Sequence, residues 1–189
     1  MFTPDIKAAE AAFATFMECL GLDLTDESLQ NTPKRVAKMF INETCEGLFS
    51  EPPKMTSFPN DKDYHGMIVL RDLKIESLCE HHFQPIIGKC HIAYIPRDRV
   101  VGLSKFARIA DYYARRPQLQ ERLTQQIFDH LKEVLETDDI AVVVEAEHMC
   151  MRLRGIKDPC SDTVTTLVGG LFMHSEATKQ EFLTYIWKK

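Results

Sequence analysis

Four consecutive residues, Cys79-Glu80-His81-His82, constrain this chain more than any other feature. A thiol, a carboxylate and two imidazoles can each bind a metal or move a proton near neutral pH. The flanks say how such a run is held. Met67 to Leu78 reads as a strand, with Leu73, Ile75 and Ser77 alternating against Lys74 and Glu76. Gly88 to Ile95 reads as the next strand, closed by Pro96. The two are near enough in sequence to pair as an antiparallel hairpin, which puts the four residues at a sheet end.

The other elements follow from periodicity and punctuation. Pro4 to Leu20 is expected to be a helix, with Ala9, Phe13, Phe16 and Leu20 at helical spacing. A second helix opens at Thr32-Pro33, with Thr32 as its N-cap and Gly47 as its stop. Pro52 to Lys62 reads as a linker-like loop. Ser104 can cap a helix carrying Phe106, Ile109, Ala110 and Tyr113, broken at Arg116-Pro117. A longer helix is expected from about Gln118 to Glu136, with leucine or isoleucine every fourth residue. Ile140 to Cys150, centred on Val142, Val143 and Val144, is the clearest strand. Thr163 to Phe172 reads as a fourth strand, and Ser175 opens a last short helix. The order is a helical arm and linker over residues 1–62, then an α+β core over 63–189. That core is antiparallel β-β-α-α-β-β, with two helices on one face.

A metal reading of the central run starts from Cys79-x-x-His82, the local spacing of a two-ligand zinc clip. The spacing alone is weak. Cys150 strengthens it, because His148 and Cys150 would share one face of a regular strand in the same sheet. Thiolate with imidazole favours zinc over calcium or magnesium. Three ligands plus water make a catalytic site, whereas four close it. His148 is the serious candidate for a fourth ligand. The open site is favoured, since His81 and His148 then become proton carriers. Cys90 and His91 are adjacent on a strand and point to opposite faces, so they cannot share a metal.

Bulk properties exclude other classes. The formal net charge is -5, which argues against coating nucleic acid. No apolar run reaches membrane-spanning length, and the N-terminus lacks the basic-then-apolar pattern of a secretory signal. A cytoplasmic location is the expectation. Six cysteines scattered without repeat spacing are not a disulfide framework. His174-Ser175-Glu176 resembles half of a nucleobase-deaminase motif, but no Pro-Cys-x-x-Cys follows it.

An ordered series of motifs then narrows the field. Cys79-Glu80-His81-His82-Phe83, Gly88-Lys89, Ala93-Tyr94-Ile95-Pro96, Gly102-Leu103-Ser104-Lys105, Arg116 to Thr124, His148-Met149-Cys150 and Arg154-Gly155 occur in sequence. Together they closely resemble the GTP cyclohydrolase I family over about Thr32 to Phe182. The resemblance implies the tunnelling fold, in which five subunits close their sheets into a barrel. It implies a homo-oligomer, a decamer of two stacked pentamers with intersubunit active sites. It also implies a zinc-dependent hydrolase of cyclic amidines at the first step of pterin and tetrahydrofolate biosynthesis. Such an enzyme converts GTP and water to 7,8-dihydroneopterin triphosphate and formate, by zinc-hydroxide attack at purine C8.

Carried over by motif position, the resemblance makes Cys79, His82 and Cys150 the zinc ligands. His148 becomes the main proton carrier near purine N7, with His81 as its partner. Gln120 and Glu121 become guanine-edge readers, and Ser104 and Lys105 contacts to ribose and phosphate. Lys105, Arg108 and Arg154, with Arg35 and Lys38 from the arm, become the triphosphate cradle. The chemistry agrees with these roles. A glutamate can accept from N1 and N2 of guanine, which adenine cannot match, and an unpaired buried carboxylate is costly. A triphosphate gives clustered cations on an acidic chain a purpose.

Overall fold

A computed structural model describes residues 2–187. The chain divides into two compact units, Met1–Glu51 and Pro52–Lys189.

The first unit is helical. Helix α1 (Ile6–Cys19) is capped by Asp5, whose carboxylate accepts the Ala8 N–H at 3.0 Å. Pro4 therefore precedes the cap rather than occupying the first turn. The helix ends at Gly21, whose φ of 77° suits a residue with no side chain. Gly21 N–H bonds the Glu18 carbonyl at 2.9 Å and Leu22 N–H the Met17 carbonyl at 3.2 Å, a Schellman ending. Helix α2 (Thr32–Met39) begins one residue earlier than expected, so Thr32 is helical and Asn31 flanks it. Gly47 does not stop it: a π-helical turn (Phe40–Thr44) and a 3-10 turn (Glu46–Leu48) follow instead.

The second unit is built on a five-stranded sheet ordered β5-β2-β3-β6-β7. Strands β2 (Ile68–Cys79), β3 (Pro85–Tyr94), β6 (Ile140–His148) and β7 (Thr163–Val168) pair antiparallel in that order. β5 (Pro117–Gln118) adds a short parallel pairing to the last two residues of β2. A separate two-stranded ribbon joins β1 (Ser57–Pro59) to β4 (Arg99–Val101). That ribbon falls partly in the stretch read from sequence as loop. Prolines hid a strand too short to show alternation.

Helices α3 (Ser104–Ala114) and α4 (Gln120–Leu135) cover one face of the sheet. Phe106 and Ile109 of α3, with Leu123, Ile127 and Leu131 of α4, pack on Ile75, Cys90, Ile92, Val142 and Val144. This is the expected β-β-α-α-β-β arrangement of the tunnelling fold. Part of the opposite face is covered too. Phe172 of α6 (Gly170–His174) and Phe182 of α7 (Glu176–Trp187) pack on Ala93, Ala141 and Val143. The expected fourth strand is accordingly shorter, because the chain turns into α6 after Gly169.

Two further expectations need correction. Ser104 makes no capping hydrogen bond, and Leu103 flanks the start of α3. Cys150 is not on a strand: β6 ends at His148, and Cys150 lies in the helical turn α5 (Met149–Arg152). Gly88 serves the register, since a Cβ there would run into the Glu145 carbonyl and the backbone of Ala146 on β6.

Candidate active site

The alternation of β3 and β6 fixes which way the site faces. Ile86 pairs with His148 and Cys90 with Val144, so His148 is on the face covered by α3 and α4. It stands at the last position of that ladder, where apolar packing gives way to side chains able to bind a metal.

Cys79 ends β2. The loop after it is tied at both ends, with Cys79 N–H donating to Gln84 O at 2.8 Å and Phe83 N–H to Cys79 O at 2.8 Å. Glu80 N–H donates to Gln118 O at 3.0 Å, which anchors the loop to β5. The closure is tight enough to hold Phe83 at φ 53°. This loop returns His82 toward Cys79, with Cys79 Sγ 3.8 Å from His82 Nδ1. The helical turn after β6 brings Cys150 to the same place. One donor atom each from Cys79, His82 and Cys150 lie within 4.8 Å of one another.

The donor set fits a soft divalent ion. Two ligand atoms on tetrahedral zinc lie roughly 3.3–3.8 Å apart, close to the observed sulfur–nitrogen separation. Burial, then the neighbouring Cys79 thiol, push the Cys150 thiol above its ordinary range. A divalent cation between the two sulfurs reverses that preference and stabilises the thiolates. Cys79 is buried, Cys150 half-buried and His82 exposed, which leaves the cluster open on its histidine side.

Basic and proton-carrying groups surround the cluster. Arg154 Nη1 lies 2.7 Å from the outer nitrogen, Nε2, of His82. His81 is exposed, with its ring 6.2 Å from that of His82 and its Nε2 3.8 Å from Glu80 Oε1. Glu80 is paired more closely with Arg122, at 2.7 Å. That hydrogen bond and charge hold its carboxyl below the usual range. His148 is half-buried, and its Nε2 lies 2.8 Å from Gln120 Oε1. Burial pulls His148 below the usual imidazole range, opposed by the charge of Glu121.

The remaining residues read from sequence fall on several other elements. Glu121, in the first turn of α4, lines a cavity of about 250 Å³ with Thr124, Gln125, Thr165, Thr166 and Leu167. Gln120, the residue before it, is instead 2% exposed and turned into the protein. Ser104, Lys105 and Arg108 lie on the first two turns of α3, with Ser104 and Arg108 exposed. Arg35 and Lys38 are exposed on α2 of the first unit. Arg152 is paired with Glu147 on the neighbouring strand. Sequence reasoning missed the network that holds Gln120, the Glu80–Arg122 pair and the β5 anchor. Gln120 at the start of an amphipathic helix carried no mark of burial, and a two-residue strand has no period.

Comparison with known proteins supplies the family. The family model described as GTP cyclohydrolase I matches residues 9–187. The GTP cyclohydrolase 1 of Flavobacterium johnsoniae is 51% identical over 171 residues, covering 90% of this chain and 76% of that protein. The GTP cyclohydrolase 1 of Aeromonas salmonicida is 50% identical over 175 residues, covering 92% and 80%. A solved structure, the archaeosine synthase QueF-Like in the apo form, is 22% identical with a TM-score of 0.43. It covers 55% of this chain and 94% of its own, a likeness too slight to argue from. The match over nearly the whole described chain, and half of its residues shared with relatives of one name, give the cysteine–histidine cluster its context: this chain belongs to the GTP cyclohydrolase I family.

Proposed function

We propose that this chain is a zinc-dependent GTP cyclohydrolase that converts GTP and water to 7,8-dihydroneopterin triphosphate and formate. One observation carries the reading: Cys79, His82 and Cys150 gather three soft donors within 4.8 Å. Zinc held by them would supply a Lewis acid and a water whose pKa falls to about 7.

The chain's own residues do the rest. His148, when charged, delivers to purine N7 the proton of the ring nitrogen that does not face Gln120, which makes C8 electron-poor enough for water to add. His81, on the exposed side, relays protons as the imidazole ring opens and the formyl group leaves. The same pair serves the sugar rearrangement, which needs proton transfers and no further cofactor. Glu121 accepts from guanine N1 and N2 in the cavity beneath α4. Gln120 next to it was expected from the family resemblance to share that role. Ser104 and Lys105 contact ribose and phosphate. Arg108 and Arg154, with Arg35 and Lys38 of the arm, neutralise the triphosphate. Residues 63–189 form the catalytic core and 1–62 the arm and linker. On family resemblance, the assembly is a cytoplasmic decamer of two stacked pentamers, with sites shared between subunits. No helix among the described residues is long and apolar enough to cross a membrane.

The test is formate release from GTP by the purified protein, with and without a zinc chelator. Release that stops on chelation and returns with zinc supports the reading. A folded, zinc-loaded protein that leaves GTP intact overturns it and favours a zinc scaffold closed by His148.

A further inference from the structure

We propose that Gln120 is a positioning residue: it fixes the proton of His148 on Nε2 and so presents Nδ1 as the free lone pair. The argument needs no knowledge of hydrogen positions, because the neighbours of the amide decide its orientation. One end of the Gln120 side chain, Nε2, lies 3.0 Å from Val144 O and 2.8 Å from Thr163 O. Backbone carbonyls only accept, so this end must be the NH2 group. Thr165 Oγ1, at 3.2 Å, shares the same hydrogens. The other end is then the carbonyl, and Oε1 is 2.8 Å from His148 Nε2. A carbonyl oxygen also only accepts, so Nε2 of His148 must donate. In the neutral imidazole that leaves Nδ1 without hydrogen.

The frame around the amide is closed. Thr124 Oγ1 donates to the backbone carbonyl of Gln120 at 2.9 Å and lies 2.6 Å from Thr165 Oγ1. Gln120 is thereby tied to α4, β6 and β7 at once, and at 2% exposure it has no face left for a nucleobase. Its carbonyl oxygen is already given to His148, and both amide hydrogens are given to strand carbonyls. The guanine-edge role thus falls to Glu121 alone of this pair. A fixed tautomer matters because a proton carrier with a freely exchanging ring presents a donor or an acceptor at random. The catalytic consequence rests on the hydrolase reading above, whereas the tautomer itself does not.

Two measurements test this on the full-length, zinc-loaded protein. The first is nitrogen-15 NMR of the labelled histidines at mildly alkaline pH, with the His148 signals assigned by their loss in His148→Asn. A pyrrole-like Nε2 and a pyridine-like Nδ1 are expected, and a protonated Nδ1 in the wild type overturns the proposal. The second is steady-state kinetics of Gln120→Met, which keeps the length and removes every hydrogen bond. We expect kcat to fall about 100-fold or more, within the span of general acid–base contributions. KM for GTP and the preference for GTP over inosine triphosphate should stay near the wild-type values. Glu121→Gln should do the reverse and lose that preference. A raised KM with unchanged kcat, or a lost preference in Gln120→Met, would make Gln120 a base reader and sink the idea. Should Gln120→Met fail to fold, the wild-type tautomer decides alone. A wild type that shows Nε2–H yet releases no formate breaks the proposed reaction while the positioning of His148 stands.

Discussion

Two histidine–cysteine pairs start from central strands of one sheet, one within a strand and one across a strand's end, and they meet different fates. Cys90-His91 sits in the middle of β3, opposite Val144 and Val143. His148-Met149-Cys150 sits where β6 runs out. In the middle of the ladder, alternation splits the pair between two interiors. Cys90 is fully buried among the apolar side chains under α3 and α4, and burial pushes its thiol far above the ordinary range. His91 goes to the other face, where its Nδ1 accepts the Asp72 N–H at 3.2 Å. At the ladder's end, the chain leaves the strand for a helical turn, and Cys150 swings toward Cys79 and His82. The same residue types pack an interior in one place and stand at the cysteine–histidine cluster in the other. What separates them is freedom from the two-residue period.

The comparison can be broken most sharply at the cysteines. Cys79→Ala and Cys150→Ala should each lose zinc by elemental analysis and drop formate release to background, whereas Cys90→Ala should keep both. If Cys90→Ala also loses its metal while remaining folded, the division between the two pairs is wrong. His148→Ala comes next. It should retain zinc and lose about 10²–10⁴ in formate release, the range for a general acid–base group. Zinc lost with the imidazole would instead make His148 a fourth ligand.

Cys90→Ala should still register in stability. Removing a buried sulfur leaves a small void, for which about 1–2 kcal/mol by chemical denaturation is expected.

The smallest effect concerns pH. Burial depresses His91 below its ordinary value of 6.5; Asp72 and Glu145 oppose this, while Lys89 and Arg71 reinforce it. The folded state therefore binds fewer protons than the unfolded one. Its stabilisation is present above about 6.5 and is lost as pH falls through the lower folded value. Melting temperature should drop by a few degrees on acidification, and His91→Gln should flatten that slope. Some slope should persist, since His130 and His148 are depressed in the same direction. A variant whose slope matches the wild type would show that protonation of His91 does not contribute to the pH dependence of stability.

The contrast also explains what was legible in the sequence. Strands β2, β3 and β6 and helices α3 and α4 announced themselves, because their core faces repeat with the right period. The grouping of Cys79, His82 and Cys150 was legible from chemistry and motif order, although Cys150 reaches it by leaving the strand that was expected to carry it. Ser104 looked like a cap because serine favours that position, but side-chain capping is decided by a local geometry that α3 does not adopt. Gln120 could not be read as buried, because nothing local distinguishes a buried glutamine from an exposed one. Its partners are Val144 and Thr163, brought in from two other strands.

The irregularity in β2 bears on how the edge of the sheet meets other chains. Pairing with β3 slips between Leu70 and Leu73, and Asp72 takes a φ of 56° there. Beyond the slip the strand carries Lys74 and Glu76, which pair with each other at 2.9 Å. β2 pairs with β5 only through Leu78 and Cys79, so most of its outer side offers backbone groups to any passing strand. A kinked, charged edge is a poor template for indiscriminate strand addition. The chain is in this way guarded against amyloid-like stacking, since only a strand matched to both kink and charge could add along this edge.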